Sequence, residues 1–178
     1  MIIALILFFA IVLLLVNHLG NDKRPSQQVT EIDLNREITQ SSNAIFKIAG
    51  ITRYCNYSDI GPICGELRKD PDNKYDKNAV MVIEANKEKI LGYIAKVDQN
   101  KYYSIVGDND SIPFIGYIEK FENDEGKCSI FGVIRAYVSN TESALEDAQN
   151  DWDYLQKVFK LRSYDKRIEA LNKFKYNL

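Results

Sequence analysis

The sequence has little of what enzymes and metal proteins commonly use for chemistry. It contains one histidine, His18, and its three cysteines, Cys55, Cys64 and Cys128, lack the spacing of metal ligands. A zinc site is therefore not expected, and the usual general base for a serine or cysteine nucleophile is missing beyond residue 18. No glycine-rich phosphate loop ending in Lys-Ser/Thr occurs, so ATP hydrolysis is not indicated. We predict a protein that is not an enzyme, with no catalytic residues, no metal and no cofactor.

The charge balance also lacks a strong sign. The 178 residues carry 23 Lys and Arg against 25 Asp and Glu, a net charge of -2. From Ala44 to Val138 basic residues number 13 and acidic residues 14. A general electrostatic attraction to nucleic acid is thus excluded, and any such binding must be local. The odd number of cysteines favours reduced thiols packed as small apolar groups in a cytoplasmic domain.

The N-terminus is strongly apolar. Met1 to Val16 contain no charged or polar side chain. As a helix this run reaches roughly 24 Å, and the next four residues bring it closer to the hydrocarbon thickness of about 30 Å. A cleaved signal peptide is the alternative, but no Lys or Arg precedes the run and no A-x-A-like site follows it. We predict a single-pass transmembrane anchor over residues 1–20, with the rest of the chain in the cytoplasm because Lys23 and Arg24 follow the run directly.

The segment after the anchor divides into a linker and a β-rich domain. Residues 21–43 are polar, contain Pro25, and read as a tether. From residue 44 to residue 138, short stretches alternate apolar and polar side chains, as half-buried strands do. Six such strands, with one helix beginning near Asp98, predict a small closed or nearly closed β-barrel.

The C-terminal region, residues 139–178, changes to a helical period. Apolar residues recur at three- and four-residue spacing, and Ser163 is a suitable N-cap for a second helix. The first seam comprises Leu145, Ala148, Trp152, Leu155 and Phe159. We predict two helices that either pack on the barrel or each other, or form a partner-binding or self-associating hairpin.

One turn carries the most specific pattern in the chain. The stretch DPDNKYDKNAVMV, Asp70 to Val82, followed by KILGYIAK, resembles the signature of the HIRAN domain family. The resemblance covers about Ile45 to Val138. A calcium loop is the less favoured interpretation of the acidic cluster, because the central glycine and the glutamate at the twelfth position are missing.

The resemblance implies an OB-like barrel that binds the 3′ end of single-stranded DNA. Tyr75 would stack on a base, and Asp76 would accept a hydrogen bond from the terminal hydroxyl or brace the pocket. Arg53 and Tyr54 fall near the family's basic-aromatic pair, and the loop between Gly50 and Asp70 is one residue longer than in the family. Other nucleic-acid contacts implied are those of Tyr93 and Lys96. The structural alternative is that Tyr75 is a buried aromatic closing the barrel, while Asp76 and Asn78 only cap the turn.

Two functional hypotheses follow. The chain is predicted to be mainly β with α, comprising a transmembrane helix, a six-stranded OB-like barrel with one interposed helix, and a C-terminal helical pair. The first hypothesis is a membrane-tethered nucleic-acid-binding module of HIRAN type. The second is a non-enzymatic, membrane-anchored interaction module that recruits a protein partner through the barrel and the C-terminal helices.

Overall fold

The structure, a computed structural model, describes residues 44–106, 109–123, 125–138 and 142–176, which all belong to one compact unit. It contains six strands, four α-helices and two short 3₁₀ turns within these ranges. The strands are β1 (Ala44–Ala49), β2 (Gly61–Lys69), β3 (Val80–Glu84), β4 (Lys89–Ile94), β5 (Ser111–Glu122) and β6 (Cys128–Ala136). The helices are α1 (Ile51–Tyr54), α2 (Gln99–Val106), α3 (Glu142–Val158) and α4 (Tyr164–Tyr176), with 3₁₀ turns at Tyr57–Asp59 and Lys96–Asp98.

The six strands form a closed antiparallel barrel in the order β1-β4-β3-β2-β5-β6. Closure comes from β1, which pairs with β4 through Ile48 and Ile94 and with β6 through Phe46 and Ile134. The predicted six-stranded barrel is confirmed. Strands and helices contain similar numbers of the described residues. The helical content is therefore higher than predicted for a mainly β chain.

The barrel core follows from the alternation in the strands. In β1, residues 44, 46 and 48 point inwards and are buried, while Lys47 is exposed. Helix α2 adds Tyr102 and Val106 to the same core, which places the start of this helix beside the turn that precedes β3. The helix is thereby held rigidly against the barrel, since fully buried side chains lose their freedom to move.

The C-terminal helices pack on the outside of the barrel. Leu155, Leu171 and Phe174 are completely or almost completely buried, and Tyr117 of β5 donates a hydrogen bond from its hydroxyl to the Leu171 carbonyl at 3.5 Å. Ser163 precedes α4, and its Oγ accepts from the Lys166 amide at 3.4 Å. Of the two predicted arrangements for this pair, the structure has the one in which the helices pack on the barrel.

The buried face of α3 differs from the predicted seam. Leu145 is 40% exposed, whereas Ala144, Ala148, Asp151 and Leu155 are buried. The helix is rotated because Asp151 forms an ion pair with a buried arginine of β6, and this polar residue therefore belongs to the inner face. Ala148 and Leu155 of the predicted seam are buried, so the prediction is confirmed for these two and wrong for Leu145. Apolar periodicity alone assigns a carboxylate to the solvent side, which is why it did not include Asp151.

The predicted anchor at residues 1–20 and the predicted linker at residues 21–43 lie outside the described residues. Within the ranges that the structure describes, no helix is both long enough and apolar enough to cross a membrane.

Candidate nucleic-acid interface

The turn between β2 and β3 is organised around Asn73. Its Oδ1 accepts from the amides of Tyr75 and Asp76 at 3.0 and 3.1 Å, and its Nδ2 donates to Asp70 Oδ2 at 3.1 Å. The Asp70 amide donates to the Ala79 carbonyl at 2.8 Å and closes the turn. Side-chain bonds of this kind fix a turn without any strand pairing. The turn therefore holds the two residues after Lys74 in a defined position.

Tyr75 projects from this turn into solvent. Its side chain is 98% exposed, so it is not the buried, barrel-closing aromatic of the structural alternative. Tyr75 is the most exposed of the large apolar side chains in the described residues. Both faces of the ring are available to a flat ligand such as a nucleic-acid base.

Asp76 is held by two donors on its two carboxylate oxygens. The Asn78 amide donates to Oδ1 and the Gln99 side-chain amide donates to Oδ2, each at 2.9 Å. The hydrogen bond from Gln99, that from Asn78 and the nearby charge of Lys96 lower the pKa of Asp76. The carboxylate is therefore ionised at neutral pH. Because it has about four acceptor positions and two are used, it can accept further hydrogen bonds from a ligand.

Tyr93 supports the turn from β4. Its hydroxyl donates to Asp70 Oδ2 at 3.1 Å, and burial together with this hydrogen bond raises the pKa of Tyr93 to about 12. Tyr93 is thus a neutral donor whose proton is directed at Asp70. Its ring lies 6.0 Å from that of Tyr54, centroid to centroid.

Arg53 and Tyr54 are placed by a reversal of the chain after β1. Gly50 has a φ of 70°, a left-handed conformation that glycine adopts without strain, and the short helix α1 follows. Gly92 of β4 allows a close approach at this point, since a Cβ there would lie 2.5 Å from the Ala49 carbonyl oxygen. The two glycines together bring α1 against the residue after Gly92, which is Tyr93.

These elements enclose a groove of about 540 Å³. We call it the turn groove, and all six predicted nucleic-acid contacts line it: Arg53, Tyr54, Tyr75, Asp76, Tyr93 and Lys96. The structure therefore brings together residues from α1, the β2–β3 turn, β4 and the 3₁₀ turn that follows β4.

The acidic and basic side chains of the turn groove differ in their contacts with the protein. Asp70 and Asp76 each accept hydrogen bonds from protein donors. Three cations line the same groove, Arg53, Lys74 and Lys96, and within the described ranges none of them is in an ion pair. In the described part of the chain, a ligand with negative charge therefore meets three cations that form no ion pair, of which Lys96 lies near enough to Asp76 to lower its pKa.

Sequence reasoning missed two residues of this site, Lys74 and Gln99. Lys74 could have been found from its place directly before Tyr75. Gln99 had no such signal, because it is 23 residues from Asp76 and reaches it only through the packing of α2. Asn73 also lines the groove, and its three hydrogen bonds shape the turn.

None of the three cysteines lines this groove, and they differ in exposure. Cys55 and Cys64 are buried, and burial raises the pKa of Cys64 to about 11. Cys128 is exposed, so the prediction of three packed thiols was wrong for this one. Among the residues that the structure describes, no group of histidine, cysteine and acidic side chains has the geometry of a metal site.

Comparison with known proteins identifies no relative of this chain. Family models, curated proteins and solved structures each give no match.

Proposed function

We propose that the turn groove binds the 3′ end of single-stranded DNA and that the chain is a membrane-tethered binding module of HIRAN type. The observation that carries the proposal is the composition of the groove. A fully exposed tyrosine, three cations that form no ion pair with any residue the structure describes, and an ionised, oriented carboxylate lie around one cavity. A base, a phosphodiester and a terminal hydroxyl are the ligand groups that match these three features.

Each feature has a defined task in this proposal. Tyr75 stacks on a base, an interaction worth about 1–3 kcal/mol. Arg53, Lys74 and Lys96 contact phosphates. Asp76 accepts a hydrogen bond from the terminal 3′-hydroxyl through an oxygen position that Asn78 and Gln99 leave open. The groove needs no reacting group for this task, and we propose no catalysis.

The near-neutral charge of the domain is compatible with binding one chain end. Three cations neutralise few phosphates, and for single strands the slope of log affinity against log salt is about −0.7 for each phosphate neutralised. A slope near −2 follows, much shallower than that of a protein that grips a long duplex. The site would then recognise the chemical groups at the strand end rather than contact many phosphates along the strand.

The membrane tether is part of the proposal. Residues 1–20 would anchor the chain, and the linker to residue 43 would hold the OB-like barrel on the cytoplasmic side. The second hypothesis, recruitment of a protein partner by the barrel and C-terminal helices, has less support. In the described residues these helices use Ala148, Leu155, Leu171 and Phe174 to pack inside the domain.

End recognition can be measured directly by fluorescence anisotropy with the full chain in a mild detergent. We expect an oligonucleotide with a 3′-hydroxyl to bind about 10- to 100-fold more tightly than the same strand with a 3′-phosphate. A hydrogen bond to a charged group contributes about 1.5–3 kcal/mol, and a terminal phosphate would face the Asp76 carboxylate instead.

The matched variants are Asp76→Asn and Asp72→Asn. Both remove a carboxylate from the same turn, but only Asp76 lines the groove. The first should lose the preference for the hydroxyl end and the second should keep it. Equally weak binding of both ends by the unmodified protein would contradict end recognition.

A further inference from the structure

Gln99 is a buried polar residue with an unusual position. Four polar side chains are buried in the described part of the chain, and Glu119, Arg135 and Asp151 form ion pairs between the barrel and the C-terminal helices. Gln99 is 8% exposed, lines the turn groove, and has a different kind of partner. Its Nε2 donates to Asp76 Oδ2 at 2.9 Å.

We propose that Gln99 is a positioning residue that orients the Asp76 carboxylate and thereby sets the selectivity of the groove for a hydroxyl-bearing chain end. This inference rests on the proposed function. Gln99 itself need not touch the ligand, because it acts through Asp76.

The geometry explains why a distant residue is needed. The Asn78 amide is two positions along the chain, so its bond to Asp76 moves with the turn. Gln99 belongs to α2, which is fixed in the barrel core by Tyr102 and Val106. The hydrogen bond from Gln99 therefore fixes the position of the Asp76 carboxylate relative to the barrel core. Because a buried amide without a partner is unfavourable, Gln99 in turn favours the state in which this bond is made.

The chemistry of the amide suits this role. Glutamine donates a proton without carrying charge and does not titrate, so Asp76 remains an acceptor. The charged and titratable groups that act on or respond to Asp76 are Lys96, which lowers its pKa, and Tyr103, whose own pKa is raised by burial and by the Asp76 charge. An oriented, anionic acceptor binds a hydroxyl donor and repels a phosphate.

The decisive variants are Gln99→Met and Gln99→Glu. Methionine fills the same space without a donor, and glutamate keeps the shape but presents a second carboxylate. For Gln99→Met we expect the ratio of the dissociation constants for 3′-phosphate and 3′-hydroxyl strands to fall about fivefold or more, since a hydrogen bond that orients the acceptor is lost. In Gln99→Glu the added carboxylate also repels a phosphate, so for this variant the expected result is weaker binding of the 3′-hydroxyl strand. The loss should lie mainly in binding of the hydroxyl end.

A matched control exists on α3. Gln149 donates from Nε2 to Asp153 Oδ1 at 2.9 Å, the same contact outside the groove. Gln149→Met should leave the ratio unchanged. A fall of the ratio in this variant too would overturn a specific role for Gln99.

A measurement without nucleic acid separates the inference from the proposed function. Carbon-13 NMR of the Asp76 carboxyl should show a higher pKa in Gln99→Met than in the unmodified protein. An unchanged pKa overturns the inference whatever the binding result. A raised pKa with an unchanged ratio also overturns it while the proposed function stands. Equal binding of both ends by the unmodified protein overturns the proposed function and the selectivity that depends on it.

Discussion

Asp151→Asn is expected to lower the free energy of unfolding by about 3–5 kcal/mol, the range found when one partner of a buried ion pair is removed. Arg135 of β6 donates from Nη1 to Asp151 Oδ2 at 2.5 Å and from Nη2 to the Phe174 carbonyl at 2.6 Å. Tyr137 donates its hydroxyl to the same carboxylate oxygen. Both charged side chains are under 10% exposed. Without the carboxylate, the buried guanidinium loses its ion pair with Asp151. Denaturation by urea or guanidinium measures the change.

Asp153→Asn is the control for this prediction. Asp153 lies on the same helix but is exposed, and it accepts a hydrogen bond from Gln149 one turn away. Its replacement should change the free energy of unfolding by less than about 0.5 kcal/mol, as is usual at the surface. If Asp151→Asn changed stability as little as Asp153→Asn does, the C-terminal helices would not be joined to the barrel by this pair.

This ion pair bears on the role of the C-terminal helices. A second pair, Arg167 Nε to Glu119 Oε2 at 2.5 Å, links α4 to β5, and Glu119 is fully buried. Deleting both helices would therefore remove Asp151 and Arg167, which form ion pairs with Arg135 and Glu119 of the barrel. Loss of partner binding after such a deletion would report on unfolding of the barrel as much as on a docking surface, so point variants are the sharper tools.

Tyr75→Ala is expected to weaken binding of a single-stranded oligonucleotide about 5- to 150-fold, which corresponds to the 1–3 kcal/mol of one base stack. Because the Tyr75 side chain is 98% exposed and does not pack on the barrel, the melting temperature of the variant should equal that of the unmodified protein. Tyr75→Phe should retain most of the affinity, because the ring rather than the hydroxyl makes the stack. Anisotropy titrations of the three proteins give the comparison.

Tyr57→Ala provides the matched control. Tyr57 is 55% exposed, in the 3₁₀ turn before β2, and does not line the turn groove. Its removal should leave the affinity unchanged. Equal losses in the Tyr57 and Tyr75 variants would indicate non-specific adhesion to exposed aromatics and would contradict a stacking role for Tyr75.

The strands were predictable from local pattern because each has one buried face. In Val80–Glu84 and Lys89–Ile94 the apolar residues and the short connection between them suffice to predict a hairpin. The barrel is closed by a long-range pairing between β1 and β6. Closure was predicted from the number of strands, because no local sequence pattern indicates this pairing. The Asn73-centred turn was also readable, since Asx-type bonds act within a few residues.

Two features could not be read from the sequence. The rotation of α3 depends on Asp151 meeting Arg135, and periodicity treats an aspartate as a solvent residue. The contact of Gln99 with Asp76 depends on where α2 is packed, which is decided by burial of Tyr102 in the core. Polar contacts between distant segments are determined by tertiary packing, and neither composition nor spacing encodes them.

Chemical-shift mapping tests the central claim most directly. The isotope-labelled full chain, in a mild detergent, is titrated with a short single-stranded oligonucleotide that ends in a 3′-hydroxyl. The largest amide changes should occur at residues 50–54, 74–76 and 93–96, three segments that each contribute side chains to the lining of the turn groove, with no comparable change on α3 or α4. Saturating oligonucleotide that leaves these three segments unperturbed, or that perturbs the C-terminal helices most, would contradict the assignment of this groove as a nucleic-acid site.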